Sequence, residues 1–467
     1  MEKDTILSIV TSPVLIFFTH LTDSNTQGLL LVGMRSMKVI FTAIALYLCV
    51  ETKKILGLED WTGWSCENLI ADKCKLDVEE GEVDVRGIKV HYWKYSRNTT
   101  LPPSAETLSL SPIIFIHGGP SLPHNYGLPL KKQACRGRDI IFYDQAGCGK
   151  SLISDAPVDD ESISLQYPWL LDINYYAIEE LQALISYLGY KSFHVIGHSF
   201  GSMIAQVFAL DGRNKYVKGL QSLTLSGPIS DASLFAQAQW DPKDGSITKL
   251  PFYLQERIRA LQGTRQFDSE EYEAIVNTYW YSYMAKTQPL PDCVAASFDD
   301  VNTNIYRGLF GKDEFSIGGT IKDFDITSRI HKIKIPVLLT TGEYDNVRPQ
   351  VVDVIQQELK YVEREVFANS AHLSMIDVPD KMNQVVQDFL DRVERATAKN
   401  KKFKPKKSAY LLTNDISYGE ETSRSGYSNA ALSISMLMAF IVGIYGGVRA
   451  TWVNQQDMYQ PIVQTAY

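Results

Sequence analysis

The sequence predicts an α/β fold, a mostly parallel sheet with helices on both faces and an inserted helical cap. Short, wholly apolar runs in SPIIFIHGGP, RDIIFYDQ and FHVIGH have the continuous hydrophobicity of strands buried on both faces. Helix-like stretches such as INYYAIEELQALISYLG alternate with them, the pattern of strand, crossover helix and parallel strand. Between residues 229 and 330 the alternation stops, and aromatic and charged sequence such as EEYEAIVNTYWYSYM reads as added helices.

The chain has 467 residues, 45% hydrophobic and 21% charged, enough for one large domain with appendages. A formal net charge of -8 argues against the dominant basic face that a nucleic-acid partner requires. Six cysteines are too few for a disulfide-built scaffold in this length, and no C-x-x-C pair marks a metal or redox site. In an oxidising compartment Cys66 and Cys74 are the expected bridge.

Taken in order, residues 1–79 form an N-terminal region outside the catalytic core. Val39 to Val50, preceded by Arg35 and Lys38, reads as a signal-like apolar run or an uncleaved anchor, with a packed apolar helix as the plain alternative. The core opens near 80 with EVDVRGIKVHYWKYS, whose period-two alternation about Gly87 predicts a hairpin. A sequon follows at Asn98-Thr99-Thr100, and glycosylation there requires exposure to the secretory lumen.

Chemistry concentrates in FHVIGHSFGS, Phe193 to Ser202, where a strand-like run breaks into Gly-X-Ser-X-Gly and continues as a helix. A serine hydroxyl is a weak nucleophile unless a base takes its proton, so the fold must present Ser199 on a sharp, exposed turn. Gly197 and Gly201 permit that turn; the bland alternative is a chance match in a glycine-containing loop. Two N–H groups, from Phe200 after the serine and from Gly119 in HGGP, are the expected oxyanion donors. His117 reads as a loop-fixing hydrogen-bond partner. Asp345 falls just past the strand IPVLLTTGEYD and His372 just past VEREVF. Elimination strengthens that base, because His372 is the only histidine after Asp345.

The segments HGGPSLPHNY, FYDQAGCGKS, GHSFGS, DEFSIGGTIKDFDIT and TGEYDNVRP with SAHLS resemble the proline iminopeptidase and amino-acid amidase branch of the α/β-hydrolase family. The resemblance runs from about Glu80 to Val393. It implies the α/β-hydrolase fold and removal of proline or another small N-terminal residue from a short peptide, amide or arylamide, without metal or organic cofactor. It also implies that Asp144, Gln145 and Cys148 belong to a structural turn, and Cys148 is given no chemistry. Members hold the substrate ammonium with carboxylates, one of which maps to Glu314. The other follows the catalytic acid, where this chain has Asn346, so the clamp is half removed; Asp313 is the alternative second carboxylate. Ser121 replaces the glycine usual after HGGP and is expected to narrow the site.

The expected organisation is hydrolase core over 80–228, cap over 229–330, core again over 331–397, lysine-rich linker over 398–429, transmembrane helix over 430–448 and a short tail over 449–467. The apolar run at 430–448 is about the length that crosses a bilayer. The expected protein is thus a membrane-anchored serine hydrolase, single-pass through its C-terminal helix, its catalytic side lumenal or extracellular in the secretory or endosomal system or at the cell surface. An esterase, lipase or thioesterase on the same fold, and a catalytically silent binding protein, are the alternatives.

Overall fold

The computed structural model describes residues 65–66, 74–98, 110–153 and 160–406. Eight strands form one sheet in the order β1-β2-β4-β3-β5-β6-β7-β8. The first two, β1 (Leu76–Val85) and β2 (Ile88–Arg97), are the expected hairpin, pairing Val85 with Ile88 across a turn in which Arg86 and Gly87 have φ of 54° and 85°. Both turn residues lie on the positive-φ side that a tight two-residue hairpin needs, so a glycine stands there. β2 pairs antiparallel with β4 (Ile140–Tyr143). From β4 the sheet runs parallel through β3 (Ile113–Ile116), β5 (Phe193–His198), β6 (Leu220–Ser226), β7 (Val337–Gly342) and β8 (Val362–Phe367).

Strands β3, β4, β5 and β7 are buried at every position because each face meets its own layer. Ile114 and Ile116 join the core cluster containing helices α2 (Leu181–Leu188) and α3 (Phe200–Leu210), whereas Ile113 and Phe115 join the opposite cluster with Tyr126, Leu130, Met382 and Phe389. Side chains alternate across a strand, so a run with both parities buried needs cover on both sides. On the first face lies α9 (Pro349–Glu358); on the second lie the helical segment His124–Arg136 and α11 (Pro379–Ala398). A short helix, α1 (Asp160–Gln166), precedes α2, and α10 (Ser374–Asp377) precedes α11.

Between β6 and β7 the chain leaves the sheet and forms α4 (Ala232–Gln239), α5 (Phe252–Gly263), α6 (Glu270–Tyr283), α7 (Asp292–Asp299) and α8 (Thr303–Leu309). Side-chain oxygens of Asp231, Ser269 and Asn302 accept first-turn N–H groups of α4, α6 and α8, which fixes where these helices start. Ile258, Leu261, Tyr272, Ile275, Tyr279 and Phe315 give the cap a small core of its own.

Two expectations are corrected. Cys66 pairs with Cys293 at the start of α7, and Cys74 pairs with Cys135 in the segment 124–136, so the two do not bridge each other. Closeness in sequence does not decide which sulfur is near in space: the Cys66 N–H is drawn to the Asp292 carboxylate, beside Cys293, while Cys74 sits at the foot of β1. The membrane-anchored localisation is the second correction. No helix among the described residues is long and apolar enough to cross a membrane. The longest, α11, is amphipathic, burying Met382, Val386, Phe389, Leu390 and Val393 while charged residues fill its outer face. The apolar runs at 39–50 and 430–448 lie outside the described residues.

One ion pair ties α11 to the starts of three strands. Arg138, buried before β4, donates from its guanidinium to both carboxylate oxygens of Glu394 (2.8 Å for the Nη2 bond) and to Ser111 O (2.8 Å), and Glu394 also accepts the Ser111 N–H (2.9 Å). Burial works against the Glu394 charge, but the Arg138, His194 and Ser111 hydrogen bonds prevail and hold its pKa at about 2, below the ordinary 4.5. A carboxyl whose folded pKa is depressed adds stability above its unfolded pKa and loses it as pH falls, here between about 4.5 and 2. Glu394→Gln leaves Arg138 buried without its counter-charge and is expected to destabilise the fold by about 3 kcal/mol. Urea unfolding at pH 7 checks this, and the difference from the parent protein should shrink toward pH 2.5.

Candidate active site

Ser199 closes β5 and opens α3 at φ 53° and ψ -120°, a conformation that L-residues rarely adopt. The strain is set by how closely α3 approaches the sheet. A Cβ at Gly201 would lie 2.1 Å from Ile116 O, and one at Gly197 would lie 2.4 Å from Gly201 O, so only glycine fits either position. Strand, turn and helix are thereby forced into a sharp corner with Ser199 at its tip. The Ser199 N–H donates to Ser226 O (2.8 Å), and its hydroxyl makes no hydrogen bond to protein among the described residues.

His372 comes from the loop after β8 and Asp345 from the loop after β7. The His372 ring donates from Nδ1 to Asp345 Oδ1 at 2.8 Å, and that oxygen also accepts the Val347 N–H at 2.8 Å. Both side chains are buried. A carboxylate can only accept, so Nδ1 carries the proton and Nε2 is left free to act as a base. The ring lies against Gly227, where a Cβ would come within 2.7 Å of His372 Cε1. Gly227 directly follows Ser226, the partner of the Ser199 N–H, so its missing side chain is what brings the imidazole beside the strained turn. Burial alone would depress the His372 pKa; the charge and hydrogen bond of Asp345, helped by the Glu314 charge, outweigh it and raise the pKa above 6.5.

The loop after β3 closes the other side. Gly118 is so near that a Cβ there would meet Ser199 Cβ at 2.9 Å, and Gly119, at φ 109°, follows. The N–H groups of Gly119 and Phe200 donate to no protein acceptor among the described residues; Phe200 is the first helical residue, whose N–H has no partner in its own helix. His117 steadies this loop as expected: Nδ1 donates to Gly118 O (3.0 Å) and Nε2 accepts the Gln145 N–H (2.9 Å). Burial pushes its pKa down to about 4, so it stays neutral. Cys148 is a buried free thiol, its pKa raised well above 9.0 by burial. Ser121 donates its hydroxyl to Asn302 O at 2.7 Å, which lashes the loop to the cap.

Residues 111–379 match the family model described as the alpha/beta hydrolase fold. The chain belongs to the α/β-hydrolase family. Among α/β-hydrolases it is 30% identical over 315 residues to a proline iminopeptidase of Heyndrickxia coagulans (67% of this chain, 99% of the relative). It is 29% identical over 325 residues to one of Saccharolobus solfataricus (68% and 94%). A solved proline iminopeptidase of Mycobacterium smegmatis superposes with a TM-score of 0.58 at 24% identity, covering 68% of this chain and 100% of its own. The chain is therefore a hydrolase of the proline iminopeptidase branch.

Beyond the strained turn, this α/β-hydrolase places Glu314 and Asn346 together. Asn346 Nδ2 donates to Glu314 Oε2 at 2.7 Å, and the hydroxyl of half-buried Tyr306 donates to Glu314 Oε1 at 3.2 Å, Glu314 and Asn346 themselves being buried. Burial raises the Glu314 pKa from 4.5, against the pull of the His372 charge and the two hydrogen bonds. Asp313 is otherwise engaged: it accepts from the Tyr272 hydroxyl, the Ser316 hydroxyl and the Phe315 N–H. It braces the cap rather than facing Glu314's partners.

Sequence reasoning passed over two residues that join the parts of the site. Gly118 N–H donates to the Tyr126 hydroxyl (2.6 Å), which meets His198 Nδ1 (2.9 Å), and His198 Nε2 meets His372 O (3.1 Å). The carbonyl can only accept, so the proton sits on Nε2 and Nδ1 accepts from Tyr126: each bond fixes the next. Burial, reinforced by the nearby His372, drives the His198 pKa well below 6.5 and keeps the relay neutral. His198 stands inside the quoted GHSFG and Tyr126 inside HNYG, but neither motif says what its side chain touches. Tyr126→Phe strands the buried Gly118 N–H, at about 1–3 kcal/mol, and loosens the loop carrying Gly119. The expected result is a kcat lowered roughly tenfold with KM little changed; steady-state kinetics showing kcat intact would remove Tyr126 from this positioning role.

Proposed function

We propose that this hydrolase uses Ser199 to remove an N-terminal residue bearing a free amine from short peptides, amides or arylamides. The observation that carries the reading is the buried Asp345–His372 pair beside a serine held at φ 53° on a strand-to-helix corner. Ser199 Oγ attacks the substrate carbonyl carbon and its proton passes to His372 Nε2; Asp345 keeps the imidazole in the tautomer that leaves Nε2 free and stabilises the cation. Charge developing on the carbonyl oxygen is received by the Gly119 and Phe200 N–H groups, each such donor contributing roughly 3 kcal/mol. His372 then protonates the departing nitrogen as the C–N bond breaks. Water, deprotonated by the same histidine, hydrolyses the acyl-enzyme.

The substrate ammonium is received by Glu314, with Asn346 as a neutral neighbour where related enzymes have a second carboxylate. One charged partner in a buried site favours the free amine over an acetylated one by about 1.5–3 kcal/mol, a discrimination of roughly 10–100-fold. The test is a panel of aminoacyl arylamides, proline among them, with free and acetylated amino groups. Ser199→Ala is expected to lose turnover on the order of 10⁶-fold, together with fluorophosphonate labelling, while unfolding normally. Glu314→Gln is expected to raise KM for free-amine substrates and leave acetylated ones unaffected. Near-normal turnover by Ser199→Ala, or indifference to acetylation in the parent enzyme, overturns the reading.

The pH dependence has a definite sign. His372 must be neutral to accept a proton, and its pKa is raised above 6.5, so kcat/KM is expected to climb with pH along a limb whose apparent pKa exceeds 6.5. Asp345→Asn removes the largest upward influence and leaves burial to dominate. The limb then moves to lower pH while the rate falls on the order of 10⁴-fold. Rate profiles from pH 5 to 9 read both effects.

A further inference from the structure

A cavity of about 630 Å³ opens from the oxyanion loop into the cap, and its size matches sites that enclose a ligand much larger than one proline ring. One end reaches Gly119 and Leu122, and its wall is apolar: Trp280, Met284, Leu290, Phe298 and Val301. Trp280 stands edge-on to Phe298 at 6.0 Å and faces Tyr306 at 6.3 Å. Tyr306 links two regions, because its ring lines this cavity while its hydroxyl donates to Glu314. Tyr281, also in the lining, is 64% exposed, so the groove opens to solvent and an elongated group can run outward.

The walls are also fixed. Cys293 at the start of α7 is held by the bridge to Cys66, and α7 contributes Ala295, Phe298 and Asp299 to the lining. Asp299 is the one charged residue in that lining, which therefore offers a carboxylate no counter-charge. Half-buried aromatic and aliphatic surface kept open in a preformed groove is surface that a ligand, rather than the fold, removes from water.

We propose that this groove binds a long, uncharged apolar group of the substrate, a linear alkyl chain or extended ring system, attached to the free amine that Glu314 receives. The proposal rests on the reading of Glu314 as the amine site. Two parts of a substrate could supply the apolar group, the side chain of the N-terminal residue or the departing amine, and the chemistry recognised is the same.

The full chain carrying Ser199→Ala is titrated with n-alkylamines from butyl to decyl, below their micellar concentrations, with Trp fluorescence and calorimetry as readouts. Affinity is expected to rise roughly three- to fourfold per added methylene, the factor for burying one CH₂. Decanoate is expected to bind at least tenfold more weakly than decylamine. Ala295→Trp, which fills the groove from an exposed helix position, is expected to flatten the chain-length dependence. Length-independent affinity, or a dependence that Ala295→Trp leaves intact, overturns the proposal.

With active enzyme, one series varies the N-terminal side chain from alanine to naphthylalanine on a constant arylamide, and another varies the departing amine from methyl to dodecyl on a constant alanyl group. A rise of kcat/KM in one series, reduced by Ala295→Trp more for the large member than for the small, assigns the groove to that side of the scissile bond. A flat response in both series overturns the proposal even though short substrates are cleaved. Absence of fluorophosphonate labelling in the parent enzyme, with length-dependent amine binding by the Ser199→Ala chain, would instead sink the catalytic reading and leave the groove.

Discussion

The approach of α3 to the sheet is the constraint on which the rest of the site depends. With Ile116 O only 2.1 Å from where a Cβ of Gly201 would stand, the helix lies as close to β3 as its backbone allows. The chain between β5 and α3 then has no room for a relaxed turn, and Ser199 takes the strained conformation at the tip of the corner. The same corner aims the first N–H of α3 into the space before the serine and brings Ser199 against Gly118. Strain of this kind, of order 1–3 kcal/mol, persists only where the surroundings over-determine it. Here they do so through continuous burial of β3, β5 and α3.

Everything else in the site is held relative to that corner by hydrogen bonds whose direction is forced. The Tyr126–His198 relay runs from the loop at Gly118 to the backbone of His372, so that loop and the histidine are indexed to one another as well as to the serine. Ser121 and Asn302 extend the arrangement into the cap. The cap in turn delivers Tyr306 and the wall of the apolar groove, and DEFSIGG, following α8, brings Glu314 to Asn346. Sheet and cap thus each contribute part of the candidate site, joined by these buried polar contacts and by shared apolar packing, as where Ile305, Leu309 and Phe310 cluster with Ile114 and Ile116 and where Met284 and Val294 cluster with Ile113 and Phe115.

That division explains the uneven legibility of the sequence. Both-face burial of IIFI, IIFY and FHVIGH, the glycines flanking Ser199 and the chain order of Ser199, Asp345 and His372 are local patterns, and a strand-to-helix corner written GHSFG has few other foldings available. Clusters that span the chain are different. The partner of Cys66 lies 227 residues away, and periodicity carries no information about such a pairing. Gly227 stands in no motif of the sequence; that its missing Cβ makes room for His372 depends on two loops meeting.

By itself the sequence determined the strands, the α/β class, the position of the strand-to-helix turn at Ser199 and the residue types available there, because each follows from hydrophobic period, glycine placement or side-chain chemistry along a short stretch. Tertiary structure alone decided the company each residue keeps: Asp313 taken up by Tyr272 and Ser316 while Glu314 faces Asn346, Ser121 turned to the cap, His198 made a neutral link instead of a spare base, and an apolar groove opened beside Gly119. The reason is physical. Hydrogen bonds and burial are properties of atoms a few ångströms apart, and here the partners come from segments that the sequence separates, by 32 residues for Asn346 and Glu314 and by 181 for Ser121 and Asn302.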